Sequence, residues 1–277
     1  MIVWISSFPK SGNTLLRILL SNYLFSDNQQ SEDPFKNLYK IEKFPNNYNF
    51  ESWLNKYMED KKLSSDDLFK MNVDNWINFQ QYLNKPDDLK YYKTHNIFSE
   101  KFTNSQLTKS FIYLIRDPRN VVLSYANHLN INHEESFKKI TSNNFAGKPS
   151  NNIWEVYGSW ELNYLTWNEF NKEVDGLFIK YEDLITNTKE QFLKILKHLN
   201  KITYIKIDEK KIDQVISESN FIKLQNYEKN IGFKESVNNR VFFDKGPFRK
   251  WQNELQENLV KKIEEKFFET MKKFNYL

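Results

Sequence analysis

The chain has 277 residues, 39% hydrophobic and 27% charged, with a formal net charge of +4 at pH 7 and no cysteine. That length suits one large domain or two small ones, with a core that needs no covalent staple. The composition excludes a disordered chain, and the missing cysteine excludes disulfides, zinc-thiolate sites and thiol catalysis. A small positive charge suits an anionic ligand, but without a concentrated patch it does not argue for nucleic acid. No basic region precedes the first apolar stretch and no run approaches a membrane span, so a cytoplasmic protein is expected.

The first element is a short apolar strand, Ile2–Ser6, which runs through Ser7-Phe8-Pro9-Lys10-Ser11-Gly12 into a helical pattern from Thr14 to Phe25. A strand, a tight glycine turn and a helix N-terminus form an anion site, because free N–H groups and the helix dipole converge there. Lys10 adds a full charge, and Asn13 or Thr14 is suited to cap the helix or to donate to phosphate. Lys10 precedes Gly12, the reverse of the Gly-Lys-Ser/Thr order of nucleotide hydrolases. Alone, the stretch reads equally as an ordinary turn with a solvated lysine.

Residues 30–80 are irregularly helical, with aromatic residues Phe44, Tyr48, Phe50 and Trp53. A second strand, Lys90–Thr94, leads into "KTHN". Lys93 and His95 are two residues apart, so on an extended chain they point the same way. A neighbouring lysine disfavours the imidazolium, which suits a neutral general base. His128 and His198 fall in helical patterns and His133 in a polar turn.

A third strand, Phe111–Ile115, ends at Arg116, and Asp117-Pro118 opens a helix that carries Ser124 two turns on. A guanidinium at the end of a parallel strand suits phosphate. The competing reading is a structural Arg-Asp pair and a surface serine. After a polar loop at 141–152, helical spacing runs from Trp154 to Phe170 and a fourth strand from Leu177 to Tyr181. Phe192, Ile195, Leu196 and Leu199 then share one helical face. A long loop spans 226–249, and a final helical run, Asn253–Phe274, carries Leu255, Leu259, Ile263, Phe267 and Met271 on a stripe. Strands alternating with helices predict an α/β fold: one central parallel sheet flanked by helices. No repeat or linker divides the chain, so residues 1–277 are expected to form a single domain.

These pieces together resemble the sulfotransferases that use 3′-phosphoadenosine 5′-phosphosulfate (PAPS). "SSFPKSGNTLLR" resembles the family's 5′-phosphosulfate loop, "RDPRNVVLSY" its 3′-phosphate motif and "KTH" its base-bearing strand. Further matches are "YGSWELNYLTW" (157–167), "KYEDL" (180–184), "SNF" (219–221) and "DKGPFRKWQNEL" (244–255). The resemblance implies a fold like that of the phosphate-loop nucleotide hydrolases, with transfer of a sulfuryl group from PAPS to a hydroxyl or amine of a small molecule or glycan. Adenosine 3′,5′-bisphosphate (PAP) is released, and no metal is required. It implies that Lys10, Ser11, Gly12, Asn13 and Thr14 hold the 5′-phosphosulfate. Arg116 and Ser124 hold the 3′-phosphate with Lys245 and Gly246, while Tyr181, Ser219 and Phe221 border the adenine. His95 is the implied base, and Lys93 and Lys10 are implied to aid catalysis.

Leu15 stands where many relatives carry tryptophan, leaving Phe221, Trp4 or another ring to stack on adenine. Asp244 stands where relatives often have arginine, which Arg240 or Arg249 would replace. A kinase is the competing enzyme class, disfavoured by the Lys-Ser-Gly order, and a silent nucleotide-binding scaffold is disfavoured by the joint presence of Lys93 and His95. The acceptor's identity and the oligomeric state stay open at this level.

Overall fold

The computed structural model describes residues 1–26, 32–45, 50, 52, 64–83, 88–149, 152–236, 241–246 and 250–277. All six residues of β1 (Ile2–Ser7) are buried, as befits a parallel strand covered on both faces. It lies between β3 (Lys90–Thr94) and β4 (Thr108–Ile115); β2 (Glu42–Lys43) flanks β3, and β7 (Gly176–Lys180) flanks β4. All four pairings are parallel, with Ile5 beside Lys93 and Ile112.

Alternation along the strands separates two cores. Trp4, Phe111 and Tyr113 face a layer that includes α3 (Pro118–Leu129), α5 (Trp160–Phe170) and α10 (Glu257–Lys266). Val3, Ile5, Ile112 and Leu114 face α1 (Asn13–Phe25), α7 (Thr188–Leu199) and α8 (Glu209–Glu218). The predicted apolar face of Phe192, Ile195, Leu196 and Leu199 is wholly buried there. The remaining helices are α2 (Ser65–Leu83), α4 (His133–Thr141), α6 (Tyr181–Thr186), α9 (Phe221–Ile231) and α11 (Phe268–Lys273).

Three local expectations differ. The helix expected from Trp154 starts at Trp160, where the Ser159 side chain accepts from Leu162 N. Glu155–Val156 before it is instead a strand, β6, antiparallel to β5 (Ala146–Gly147) inside the expected polar loop. The C-terminal run breaks at Phe267, although Leu259, Ile263, Phe267 and Met271 all stay buried. Spacing by four drifts about 40° per step around a helix of 3.6 residues per turn, and the break restores the shared face. Finally, α9 extends to Ile231, shortening the loop expected from 226.

The chain crosses from β3 over β1 to β4. Open parallel sheets bind ligands where the strand order reverses, beyond the carboxyl ends of the strands. The turn after β1, His95 after β3 and Arg116 after β4 all lie there.

Candidate active site

The turn from β1 to α1 is shaped by its backbone. Lys10 has φ +68° and Gly12 φ +95°. A Cβ at Gly12 would lie 2.3 Å from the Tyr181 ring, so only glycine fits both the dihedral and the packing. Gly12 caps α1 without any side-chain hydrogen bond, leaving the first N–H groups of the helix available to an anion. Asn13 does not cap: its Nδ2 donates to Ile5 O at 3.0 Å and lies 3.2 Å from Ser7 Oγ, tying the turn back to β1. Ser11 Oγ and Asn13 Oδ1 are buried with no hydrogen-bond partner among the described residues.

Arg116, at the end of β4, reaches under this turn. Its Nη1 donates to Lys10 O at 3.0 Å, and its guanidinium lies 4.4 Å from the Tyr181 ring centroid. Its Nε is buried and without a hydrogen-bond partner among the described residues. Asp117 pairs with Arg119 rather than Arg116, at 2.7 Å, and caps α3. Ser124 lies two turns on, half-buried. Glu182 accepts from Asp117 N and from the Tyr276 hydroxyl, tethering α6 to the start of α3.

Ser219 and Phe221 sit at the junction of α8 and α9, with Ser219 Oγ buried and unpartnered among the described residues. Gly246 has φ +46°, and a Cβ there would lie 2.0 Å from the Phe221 ring, so the late segment rests on Phe221. Lys10 Nζ lies 4.3 Å from the Phe242 ring centroid, joining that segment to the first turn. Lys245 instead pairs with Glu254 at 3.1 Å and is half-exposed. Phe221 and Leu15 share one apolar group with Phe242. Trp4 cannot stack on a ligand: it is fully buried and donates to Thr108 Oγ1 at 3.0 Å. Phe44 and Phe50 are likewise core. Tyr48, Trp53, Arg240 and Arg249 lie outside the described residues.

His95 is held by the turn after β1. Its Nδ1 lies 2.7 Å from Ser7 O. A carbonyl only accepts, so this contact assigns the proton to Nδ1 and leaves the Nε2 lone pair free. Asn163 Nδ2 donates to His95 O and Tyr157 O, locking the backbone. Burial and then the charge of Lys93 hold the His95 pKa well below its usual value, so the imidazole is neutral at pH 7. Lys93 is drawn down to about 8, chiefly by burial, with Glu155 opposing. His128 is drawn down to about 4 by burial, then by Lys10, Lys43 and Lys93.

Sequence reasoning missed two acidic groups and their partners. Glu235 accepts from Arg17 at 2.9 Å, Lys43 at 3.0 Å and Thr14 Oγ1 at 3.3 Å. Despite burial, these cations hold its carboxyl down to about 2. Glu155 lies 3.7 Å from Lys93. Glu155 stands two residues before the "YGSW" match, and no motif marked it. Nothing in spacing pointed to Glu235, which meets α1 across 218 residues.

Among the described residues, no cluster of three or more His, Asp or Glu side chains gathers for a metal ion, and no helix is long and apolar enough to cross a membrane. The sulfotransferase domain family matches residues 2–275, and the chain belongs to that family. Relatives include luciferin sulfotransferase of Photinus pyralis, 22% identical over 70% of this chain and 52% of its own length. Sulfotransferase 1E1 of Mus musculus is 25% identical over 58% of this chain and 54% of its own length. The chain thus spans about half the length of these curated relatives. Mouse sulfotransferase SULT7A1 complexed with PAP superposes with TM-score 0.60 at 17% identity, covering 98% of this chain and 84% of that one. Retinol dehydratase in a complex with retinol and PAP gives 0.63 at 16%, covering 98% and 81%. These likenesses establish the shared α/β fold.

Proposed function

We propose that this chain, acting as one domain in the cytoplasm, is a PAPS-dependent sulfotransferase whose acceptor is a hydroxyl or amine of a small molecule or glycan. The observation that carries the reading is the join between the uncapped first turn of α1 and the neutral, Nδ1-protonated His95. One binds an anion and the other accepts a proton, and Ser7 links them. Ser11 Oγ, Arg116 Nε and Ser219 Oγ, unpartnered among the described residues, are donors that fit a ligand rich in phosphate oxygens and ring nitrogens. The PAP complexes of the structural relatives support that choice of ligand.

PAPS supplies an activated sulfuryl group. Lys10 and the N-terminus of α1 hold the 5′-phosphosulfate and carry the charge that develops on the departing phosphate. Arg116 and Ser124 take the 3′-phosphate, helped by Lys245 and Gly246, while Tyr181, Ser219 and Phe221 border the adenine. His95 Nε2 removes the acceptor proton as the acceptor–sulfur bond forms and the sulfur–phosphate oxygen bond breaks. Lys93 offsets charge on the sulfuryl oxygens.

A transfer screen with 35S-labelled PAPS across polyols, amines, phenols and glycans tests this reading. The wild type is expected to label at least one class, and His95→Ala to lower turnover by about 10²–10⁴-fold, the usual contribution of a general base. Equal turnover in the two proteins refutes the role of His95. No label in any class refutes the hydroxyl or amine acceptor.

A further inference from the structure

Glu155 lies outside the central sheet, on the β5–β6 ribbon, where Gly147 pairs with Glu155. The ribbon is bolted to the segment after β3: Ile97 N donates to Val156 O and Val156 N to Asn96 Oδ1, both at 2.8 Å. Trp167 Nε1 fixes the same segment by donating to Asn96 O at 3.0 Å. The Glu155 carboxylate is thereby presented to the end of β3. Its Oε2 accepts from the Tyr157 hydroxyl at 2.9 Å. Its Oε1 has no hydrogen bond among the described residues and lies 3.7 Å from Lys93 Nζ, with both side chains buried.

A buried ammonium needs a close counter-charge. Lys43 on β2 and Arg17 on α1 face Lys93 and repel it, whereas Glu155 and, more weakly, Glu235 attract it. His95 lies beside it, and the Tyr157 ring meets the His95 ring edge-on at 6.3 Å. Of the two carboxylates, Glu235 is already bound to Arg17 and Lys43. Glu155 is left as the counter-ion of Lys93.

We propose that Glu155 is a positioning residue: its carboxylate, fixed by Tyr157 and the β5–β6 ribbon, holds the Lys93 ammonium in place beside His95. Only the use made of Lys93 rests on the sulfotransferase reading; the ion pair stands without it. Glu155 opposes the burial that lowers the Lys93 pKa. Removing the carboxylate therefore lowers the Lys93 midpoint further. Lys93 still titrates above His95, so it remains charged while His95 titrates and the His95 midpoint stays well below its usual value.

The test is an NMR pH titration of the full chain carrying 13C at lysine Cε and histidine Cε1, with Lys93→Arg and His95→Asn assigning the two signals. In the wild type Lys93 is expected to titrate near pH 8. In Glu155→Gln its midpoint falls by about one pH unit or more, as expected on losing an opposite charge at this range. Glu155→Asp, which keeps the charge but withdraws it, gives a smaller fall and serves if Glu155→Gln does not fold. An unchanged midpoint in the folded variant, or a wild-type Lys93 titrating with the exposed lysines, overturns the proposal. No acceptor or donor enters this measurement, so its failure is separate from failure of the labelling screen.

Discussion

At Gly12 a single methyl group would meet the Tyr181 ring at 2.3 Å on a backbone of φ +95°. The Arg116 guanidinium also lies 4.4 Å from the Tyr181 ring centroid, so the ring is already in contact with a second neighbour. Gly12→Ala should therefore lose PAP binding and lower Tm, since a left-handed non-glycine residue costs about 1–2 kcal/mol before any clash. Calorimetry and a thermal melt check this; a variant that keeps both would show that the turn adapts. The elements of this turn were legible, since a strand, a glycine and a helical pattern follow in order, although that stretch alone reads equally as an ordinary turn with a solvated lysine. The roles within it were less so. Asn13 sits at the right number, yet its amide is spent on β1. Lys245 is drawn to Glu254. Which way a side chain turns depends on partners far along the chain, and spacing does not encode them.

Among elements, the buried strands and the helix faces were readable because burial on one or two faces imposes a period. The two-residue strands β2, β5 and β6 were not, since each exists only through its long-range partner. The segment after α9 shows the same limit: Glu235 clasps α1 through Arg17 and β2 through Lys43, and Phe242 then lies against Lys10. The clasp has a pH signature. The Glu235 carboxyl is held down to about 2 in the folded chain, so its contribution is fully present above the ordinary carboxylate range and is lost as pH falls toward 2. By linkage that contribution is about 3 kcal/mol at neutral pH. Urea unfolding of wild type and Glu235→Gln should differ by up to this amount at pH 7 and converge toward pH 2–3, within the acid limb set by the folded value. A constant difference across that range would show that the charge is not what holds the segment.

On the scale of the whole molecule, the sheet order brings the ends of β1, β3 and β4 to one edge. It thereby brings the neutral His95 imidazole and the Arg116 guanidinium to the β1–α1 turn, although they lie 88 and 106 residues from their contacts in that turn. The acceptor was illegible because no motif in the sequence names it, and loops, which commonly carry such specificity, follow no period. The central claim is that the β1–α1 turn and Arg116 hold the donor nucleotide while His95 acts on the acceptor. Titration calorimetry of PAP into the wild type, Lys10→Ala, Arg116→Ala and His95→Ala proteins tests it most directly. The wild type and His95→Ala are expected to bind alike. Lys10→Ala and Arg116→Ala should each lose about tenfold or more, the worth of a charge-assisted contact. A wild type that gives no binding heat at any temperature, or a His95→Ala protein that weakens as much as Arg116→Ala, would contradict it.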